Sequence, residues 1–359
     1  MYKSSGSLSI AIVCSCAILS KYLVILPEYV VKYTGNAAWL NIAAKCALAF
    51  LSFLVTLWLY KPFAPISLKE IFSLALGRSG KVIFSYIYVI GFTLFNAILL
   101  RLLCEALSTV ISATAPDEYF AIFILVPVFI AAFSGIRATT NLSTIIFPFV
   151  ILSLFVVSIA LFPHYRVQNI APVFGIETKR LVNGIFTKHF GFTEIAVLFF
   201  LAPFLGSYNK IKTSGILTFA FISVFSIIFT LSYCLIVPYP ASTKFFLPFY
   251  QMTRIIKSGA FLQRLEPIVV FVWTSFVMCS TSIIISLGSK LLSEKEEHEN
   301  AFVPVLTIIT FFISMLPKSE SSAFILYEKL LDYSTFIFPV TTVAILVVAR
   351  IRQRRKCLK

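Results

Sequence analysis

Gly184-Ile-Phe-Thr-Lys-His-Phe-Gly-Phe-Thr-Glu-Ile195 crowds Lys188, His189, Gly191, Thr193 and Glu194 into seven residues, directly before an apolar half that runs to Pro203 and Gly206. Two readings of this stretch stay open. In one, a helix starts at Thr193 and the polar residues lie among outer headgroups. In the other the crossing is discontinuous: Gly191 lets the backbone open, and the freed N–H and C=O groups gather around a solute at a positive half-helix end. Working outward, about ten apolar runs lie between Leu8 and Ile351, several of them interrupted by Gly, Pro, Lys, Arg or Glu.

A chain of 359 residues with 59% hydrophobic content, 13% charged residues and 38 Phe cannot cover the surface of a soluble globule. In hydrocarbon every backbone polar group needs an internal partner, and these runs are solidly apolar rather than alternating, so the fold class is all-α with no barrel. At roughly 20 residues per crossing, the expected spans are 8–27, 37–59, 82–112, 119–136, 141–162, 184–205, 215–238, 267–289, 301–316 and 333–351. Residues 1–359 then form a single polytopic membrane domain. The longest connections, 163–183 and 239–266, are too short for a core of their own. The second contains Phe245 to Gly259, where Arg254 and Lys257 interrupt an apolar helical pattern, as in a helix lying in the interface. The stretch Tyr327 to Tyr333 carries three charges and is expected at the outer surface, and Trp39, Trp58, Tyr60, Tyr86, Tyr88 and Trp273 are expected in headgroup-level belts.

The net charge of +15 would suggest nucleic acid in a soluble protein. With a cytoplasmic N-terminus, however, 16 of the 30 Lys and Arg fall on cytoplasmic segments, and the short outer loops hold only Lys32, Lys318 and Lys329. The basic tail 350–359 becomes an anchor for anionic headgroups in the bilayer, and no aromatic is interleaved in it, which argues against nucleic acid. The run Glu294 to Glu299 reads as a solvated turn. Lys3 and the missing small-residue cleavage site favour a retained first helix over a signal peptide. Cys14, Cys16, Cys46, Cys104, Cys234 and Cys279 fall inside spans as small packing residues, without metal-site spacing, and Cys357 is expected as a free cytoplasmic thiol.

An ionisable side chain near the bilayer centre costs roughly 2.5–3.5 kcal/mol on insertion scales, so Lys21, Lys45, Arg101, Glu105 and Glu194 each need a partner or a purpose. Arg101 and Glu105, four apart on a helix, can pair directly. Lys21 interrupts Leu19-Ser-Lys-Tyr22, and either snorkels outward or serves a site. No HExxH, GxSxG or GxxxxGK[ST] occurs, and only three His are available. Neither an enzyme, a metal site nor a cofactor is expected.

Leu26-Pro27 with Gly35-Asn-Ala-Ala-Trp-Leu40, Gln168-Asn-Ile-Ala-Pro172, Phe190-Gly-Phe-Thr-Glu194, and above all Phe246-Leu-Pro-Phe-Tyr-Gln-Met-Thr-Arg-Ile-Ile256 continuing to Trp273 carry a resemblance that covers nearly the whole chain. The sequence resembles the B subunits of the GerA-type nutrient germinant receptors of endospore-forming bacteria, in the amino acid–polyamine–organocation superfamily. The resemblance implies a leucine-transporter-like 5+5 inverted repeat, 8–162 and 184–351, with helices 1 and 6 broken. It also implies a mid-membrane pocket for a small nutrient, most simply an amino acid. Ser20, Lys21 and Tyr22 would line one side, and His189, Phe190, Gly191, Phe192, Thr193 and Glu194 the other. A-type and C-type partner subunits and the spore inner membrane follow from the same resemblance, while cytoplasmic termini follow from the Lys and Arg distribution over ten spans. One departure stands out: the family usually has small residues where this chain has Ser20-Lys21-Tyr22. Our own reading of it is that the Lys21 ammonium takes the place where transporter relatives hold a cation, with Glu105 or Glu194 as counter-ion. Two rivals stay open. One is a proton-coupled amino acid transporter in which Glu194 or Glu105 titrates; the other is a scaffold subunit whose pocket binds nothing.

Overall fold

The computed structural model describes residues 6–22, 26–112, 114–175, 177–187, 193–244, 247–254, 265–294 and 298–357. Its helices are α1 (Ser7–Leu19), α2 (Leu26–Thr34), α3 (Ala38–Tyr60), α4 (Leu68–Ile111), α5 (Asp117–Phe133), α6 (Ile136–Leu161), α7 (Thr178–Thr187), α8 (Ala196–Phe200), α9 (Ala202–Leu205), α10 (Tyr208–Ile236), α11 (Pro248–Arg254), α12 (Glu266–Leu292), α13 (Val303–Ser314) and α14 (Glu320–Cys357). Six segments containing α3, α4, α6, α10, α12 and α14 are long and apolar enough to cross a membrane on their own.

The first crossing departs from the expected 8–27. Its helix stops at Leu19, and a second helix begins at Leu26. α4 also starts earlier than expected: a foot from Leu68 to Leu76 precedes the shaft, and Gly77 joins the two with φ +77°, a conformation that costs glycine little. The last helix begins at Glu320, well before Tyr333. Ala323, Tyr327 and Leu331 recur at four-residue spacing, and all three are buried. Helical periodicity, rather than the charges between them, decides their depth.

α1 and α12 form the centre; every residue of α1 from Ile10 to Leu19 is buried. α6 lies at the rim, with Ile145, Phe149, Leu152, Phe155 and Ile159 exposed in a stripe, an apolar face suited to lipid. Trp58 and Tyr86 are exposed as belt residues should be, but Tyr60, Tyr88 and Trp273 are buried in the core. α11 also departs from the interfacial helix expected: Pro248, Phe249, Met252 and Thr253 are buried, and Phe249 meets Phe229 of α10 edge-on at 5.0 Å. Residues 245–246 and 255–264 of that stretch lie outside the described residues.

Contacts gather both chain ends at one end of the bundle. Ser214 Oγ donates to Ser7 O at 2.9 Å, and Arg350 Nη2 donates to Trp58 O at 2.6 Å with its guanidinium over the Trp58 ring. Lys69 Nζ donates to Lys290 O at 3.0 Å and to Ser293 O at 2.6 Å, tying the foot of α4 to the end of α12. Of the acidic run at this end, Glu294 pairs with exposed Arg78 and Glu299 with Lys290; residues 295–297 lie outside the described residues. At the opposite end Asn36 Nδ2 donates to Ala171 O, and Asn169 Nδ2 to Leu235 O.

Where helices cross most closely, small residues admit aromatic rings. A Cβ at Gly91 of α4 would stand 2.2 Å from Phe338 Cζ of α14. Gly91→Leu is expected to cost about 1–3 kcal/mol by overpacking, read as a lower thermal midpoint in detergent. Ile90→Leu, one residue away on the exposed face, should be nearly silent. Equal midpoints for the two variants would refute the close crossing.

Candidate functional site

The break in the first crossing is built locally. Ser20 N donates to Cys16 O at 3.1 Å and Ser20 Oγ to Ala17 O at 2.9 Å, while Tyr22 N closes a tight turn on Leu19 O at 2.9 Å. The main chain leaves the helix as Lys21 projects inward. Its Nζ stands 2.5 Å from Glu194 Oε2, with the two side chains 2% and 4% exposed. Snorkelling is therefore excluded. The same ammonium lies 5.5 Å from the Phe95 ring of α4, and cation and π-face attract where water is absent.

Glu194 comes from the sixth crossing. α7 ends at Thr187, a 3-10 turn Thr193–Ile195 leads into α8, and α8 breaks again at Leu201 before α9. Glu194 is buried within the bundle, which speaks against the reading that places it among the outer headgroups. His189, Phe190, Gly191 and Phe192 lie outside the described residues, as does Lys188; of Thr193 only the backbone is described. The structure thus brings Lys21 and Glu194 together, with Ser20 and Tyr22 in the same turn as Lys21.

Sequence reasoning missed Tyr327. This α14 residue is fully buried, close enough to Glu194 for their charges to interact, and packs edge-on against Phe95 at 5.9 Å. Its hydroxyl has no hydrogen-bond partner. The signal was the Ala323, Tyr327, Leu331 spacing. Tyr22, on the other side of the turn, lies beside Cys46 of α3 and Ser226 of α10.

Below the pair, towards the end that carries both termini, aromatic rings close the bundle. Phe199 of α8 packs on Tyr60 at 5.0 Å and on Phe53 at 6.2 Å, both from α3. Phe200 meets Tyr88 of the α4 shaft at 5.2 Å and Phe72 of its foot at 6.0 Å. The short helix that follows Glu194 is thus wedged into a plug drawn from three other helix segments.

Arg101 and Glu105 form a separate cluster. The expected pair is present, Nε to Oε1 at 2.8 Å, but Asp117 of α5 joins it at 3.0 Å from Arg101 Nη2, and Arg101 Nη1 approaches Met315 Sδ at 3.8 Å. Glu105 is therefore not the counter-ion of Lys21. Lys45 is buried on α3. The six cysteines expected in spans are free and buried, and Cys16 of α1 meets Cys279 of α12 with Ser143 of α6 beside it. Among the described residues no three His, Cys, Asp or Glu side chains converge as a metal site.

Interrupted first and sixth crossings around a buried polar centre, in an all-helical bundle, define a multi-pass membrane protein of leucine-transporter-like fold. Consistent with this, the chain is similar to a sodium-coupled sialic acid symporter solved in a substrate-bound, outward-open state: the TM-score is 0.62 at 11% identity, over 97% of this chain and 78% of that one. At that identity the likeness shows the fold alone. The chain belongs to the family described as spore germination protein, which matches residues 7–323. It is 27% identical to spore germination protein XB of Bacillus anthracis over 52% of this chain and 53% of that protein. It is 20% identical to spore germination protein YndE of Bacillus subtilis (strain 168) over 92% of each, and 24% identical to spore germination protein KB of the same strain over about half of each. The matches to XB and KB thus span about half the length of those relatives.

Removing one partner of a buried ion pair costs about 3–5 kcal/mol, because the other charge stays behind without compensation. Lys21→Met should therefore lower the thermal midpoint strongly, and Lys21→Met with Glu194→Gln should recover most of the loss. If the double variant instead falls by the sum of the two single changes, the pair is not coupled as described.

Proposed function

We propose that this protein is the membrane-embedded, ligand-sensing subunit of a nutrient germinant receptor, binding a small amino-acid-like nutrient between the two broken crossings. The observation that carries this reading is the Lys21–Glu194 pair. It joins the first break to the sixth, and it offers one cation and one anion to an incoming molecule. A zwitterion can exchange partners with both at once: its carboxylate takes the Lys21 ammonium, and its ammonium takes the Glu194 carboxylate. Neither protein charge is then stranded in low dielectric. Ser20, Tyr22 and Tyr327 flank the exchange, and the proposed ligand-binding set also includes His189, Phe190, Gly191, Phe192 and Thr193 on the strength of the family resemblance. In the empty protein Lys21 serves as a tethered cation between the breaks.

Binding shifts the bundle between two arrangements only by the difference in affinity for them. The moving parts are α1 and α8, which meet at the pair; residues 8–162 and 184–351 act as two repeats about it. Family membership supports a germination role, and its output passes to A-type and C-type partner subunits in the spore inner membrane. The concentration of Lys and Arg on segments at the end bearing both termini supports a cytoplasmic placement of that end.

Spores carrying Glu194→Gln or Lys21→Met at normal receptor level should need at least about ten-fold more nutrient for half-maximal germination, a factor worth about 1.4 kcal/mol of binding. An unchanged nutrient response in both variants would sink the reading in favour of a scaffold subunit. The likeness to a symporter fold supports a second reading, a proton-coupled amino acid transporter. Uptake of labelled amino acid into vesicles holding the purified protein, abolished by collapsing the proton gradient, would select it.

A further inference from the structure

The foot of α4 and the C-terminal end of α12 enclose a cleft of about 380 Å³ that the nutrient site does not use. Gly77 creates it: its left-handed backbone swings the foot away from the shaft, and the opening between them is lined by Lys69, Arg78, Lys81 and Ser85 and by the carboxylate of Glu294, with Tyr86 and Val82 on its flank. We propose that this cleft holds the phosphate of an anionic lipid headgroup.

Three cations face it. Lys81 is paired with Glu70 at 2.9 Å and Arg78 with Glu294 at 3.2 Å, but both carboxylates are at least half exposed; such pairs are weak and yield to a stronger anion. Lys69 is different. It directs two N–H donors to carbonyls at the C-terminal end of α12, those of Lys290 and of the following Ser293, and an ammonium carries three. Lys290 and Glu299, the other charges near Lys69, pair with each other at 2.5 Å. Ser85 supplies an independent sign of a missing acceptor: it is 3% exposed, lines the cleft, and its hydroxyl has no hydrogen-bond partner. Buried hydroxyls are rarely left so. A phosphate oxygen entering between Lys69 and Lys81 would satisfy it, and a phosphodiester presents enough acceptors for all four groups.

The apolar flank decides between a lipid and a soluble phosphate. Val82 and Tyr86, which line the cleft on the shaft side, are both exposed, as are Ile83 next to them in the chain and Leu74 on the foot. A dissolved anion has no use for such a wall, whereas acyl chains need one. The cleft also lies at the end of the bundle where Arg350, Arg352 and Arg354 gather. Its occupant would brace the foot against α12, and the foot carries Phe72, which packs on Phe200 in the plug beneath Glu194.

The test uses the full chain in nanodiscs of phosphatidylcholine with a few mole per cent of brominated phosphatidylglycerol, and Tyr86→Trp as the reporter. Saturable quenching by brominated phosphatidylglycerol, absent with brominated phosphatidylcholine, is expected. Adding Arg78→Gln and Lys81→Gln should weaken it by about five-fold per charge removed, and Ser85→Ala should weaken it further. Equal quenching by the two lipids, or quenching indifferent to the charge changes, would overturn the proposal. So would full displacement by millimolar inorganic phosphate, which would make the cleft a soluble-anion site. If the double charge variant does not fold, Ser85→Ala alone and the contrast between the two lipids in the reporter protein still decide.

Discussion

Two opposite charges held 2.5 Å apart, with their side chains only 2% and 4% exposed, are the constraint on which the rest of this bundle depends. Each alone would be expelled from the hydrocarbon layer. Together they are tolerated only while their geometry is maintained, and that geometry is maintained by two segments that are not continuous helix. The turn at Ser20 to Tyr22 aims the ammonium inward, and the 3-10 turn at Thr193 to Ile195 presents the carboxylate. A continuous helix at either place would carry its side chain around the helical face instead. The pair and the breaks therefore require each other.

Rigid elements surround this centre. α4 supplies Phe95 beneath the ammonium, Tyr88 against the plug and Arg101 in the outer cluster, all from one shaft. Tyr88 is fixed in turn by α14, its hydroxyl bonded to Thr342 Oγ1 at 2.5 Å and its ring packed on Phe338 at 4.9 Å. Arg101 bonds both Glu105 and Asp117 and so links α4 to α5. The arrangement separates a scaffold of long helices from two short, interrupted ones that meet at the charges.

Much of this was legible before any coordinates. Composition dictates a membrane solvent, apolar run length gives most crossings, and the expense of intramembrane charge singles out Lys21, Lys45, Arg101, Glu105 and Glu194. Which charges pair was open, because Lys21 and Glu194 are far apart in sequence and only tertiary packing brings them together, whereas Arg101 and Glu105 announce themselves by spacing. Charges misled at the last crossing. Glu328, Lys329 and Asp332 suggested a surface segment, yet they share a helix with a buried stripe, and Tyr327 lies on the inner side of it. Aromatic belts misled for a related reason: Tyr88 and Trp273 have the composition of an interface and the position of a core.

α14 runs 38 residues from Glu320 to Cys357, about 57 Å at about 1.5 Å per residue. Tyr327 stands beside the charged pair near one end, and Arg350 grips Trp58 near the other. Between them Phe338 bears on Gly91, which leaves no room for a Cβ. That contact is a fulcrum, and the helix across it is a lever. Any tilt that moves the tyrosine one way must swing the arginine the other, except for whatever bend Pro339 absorbs.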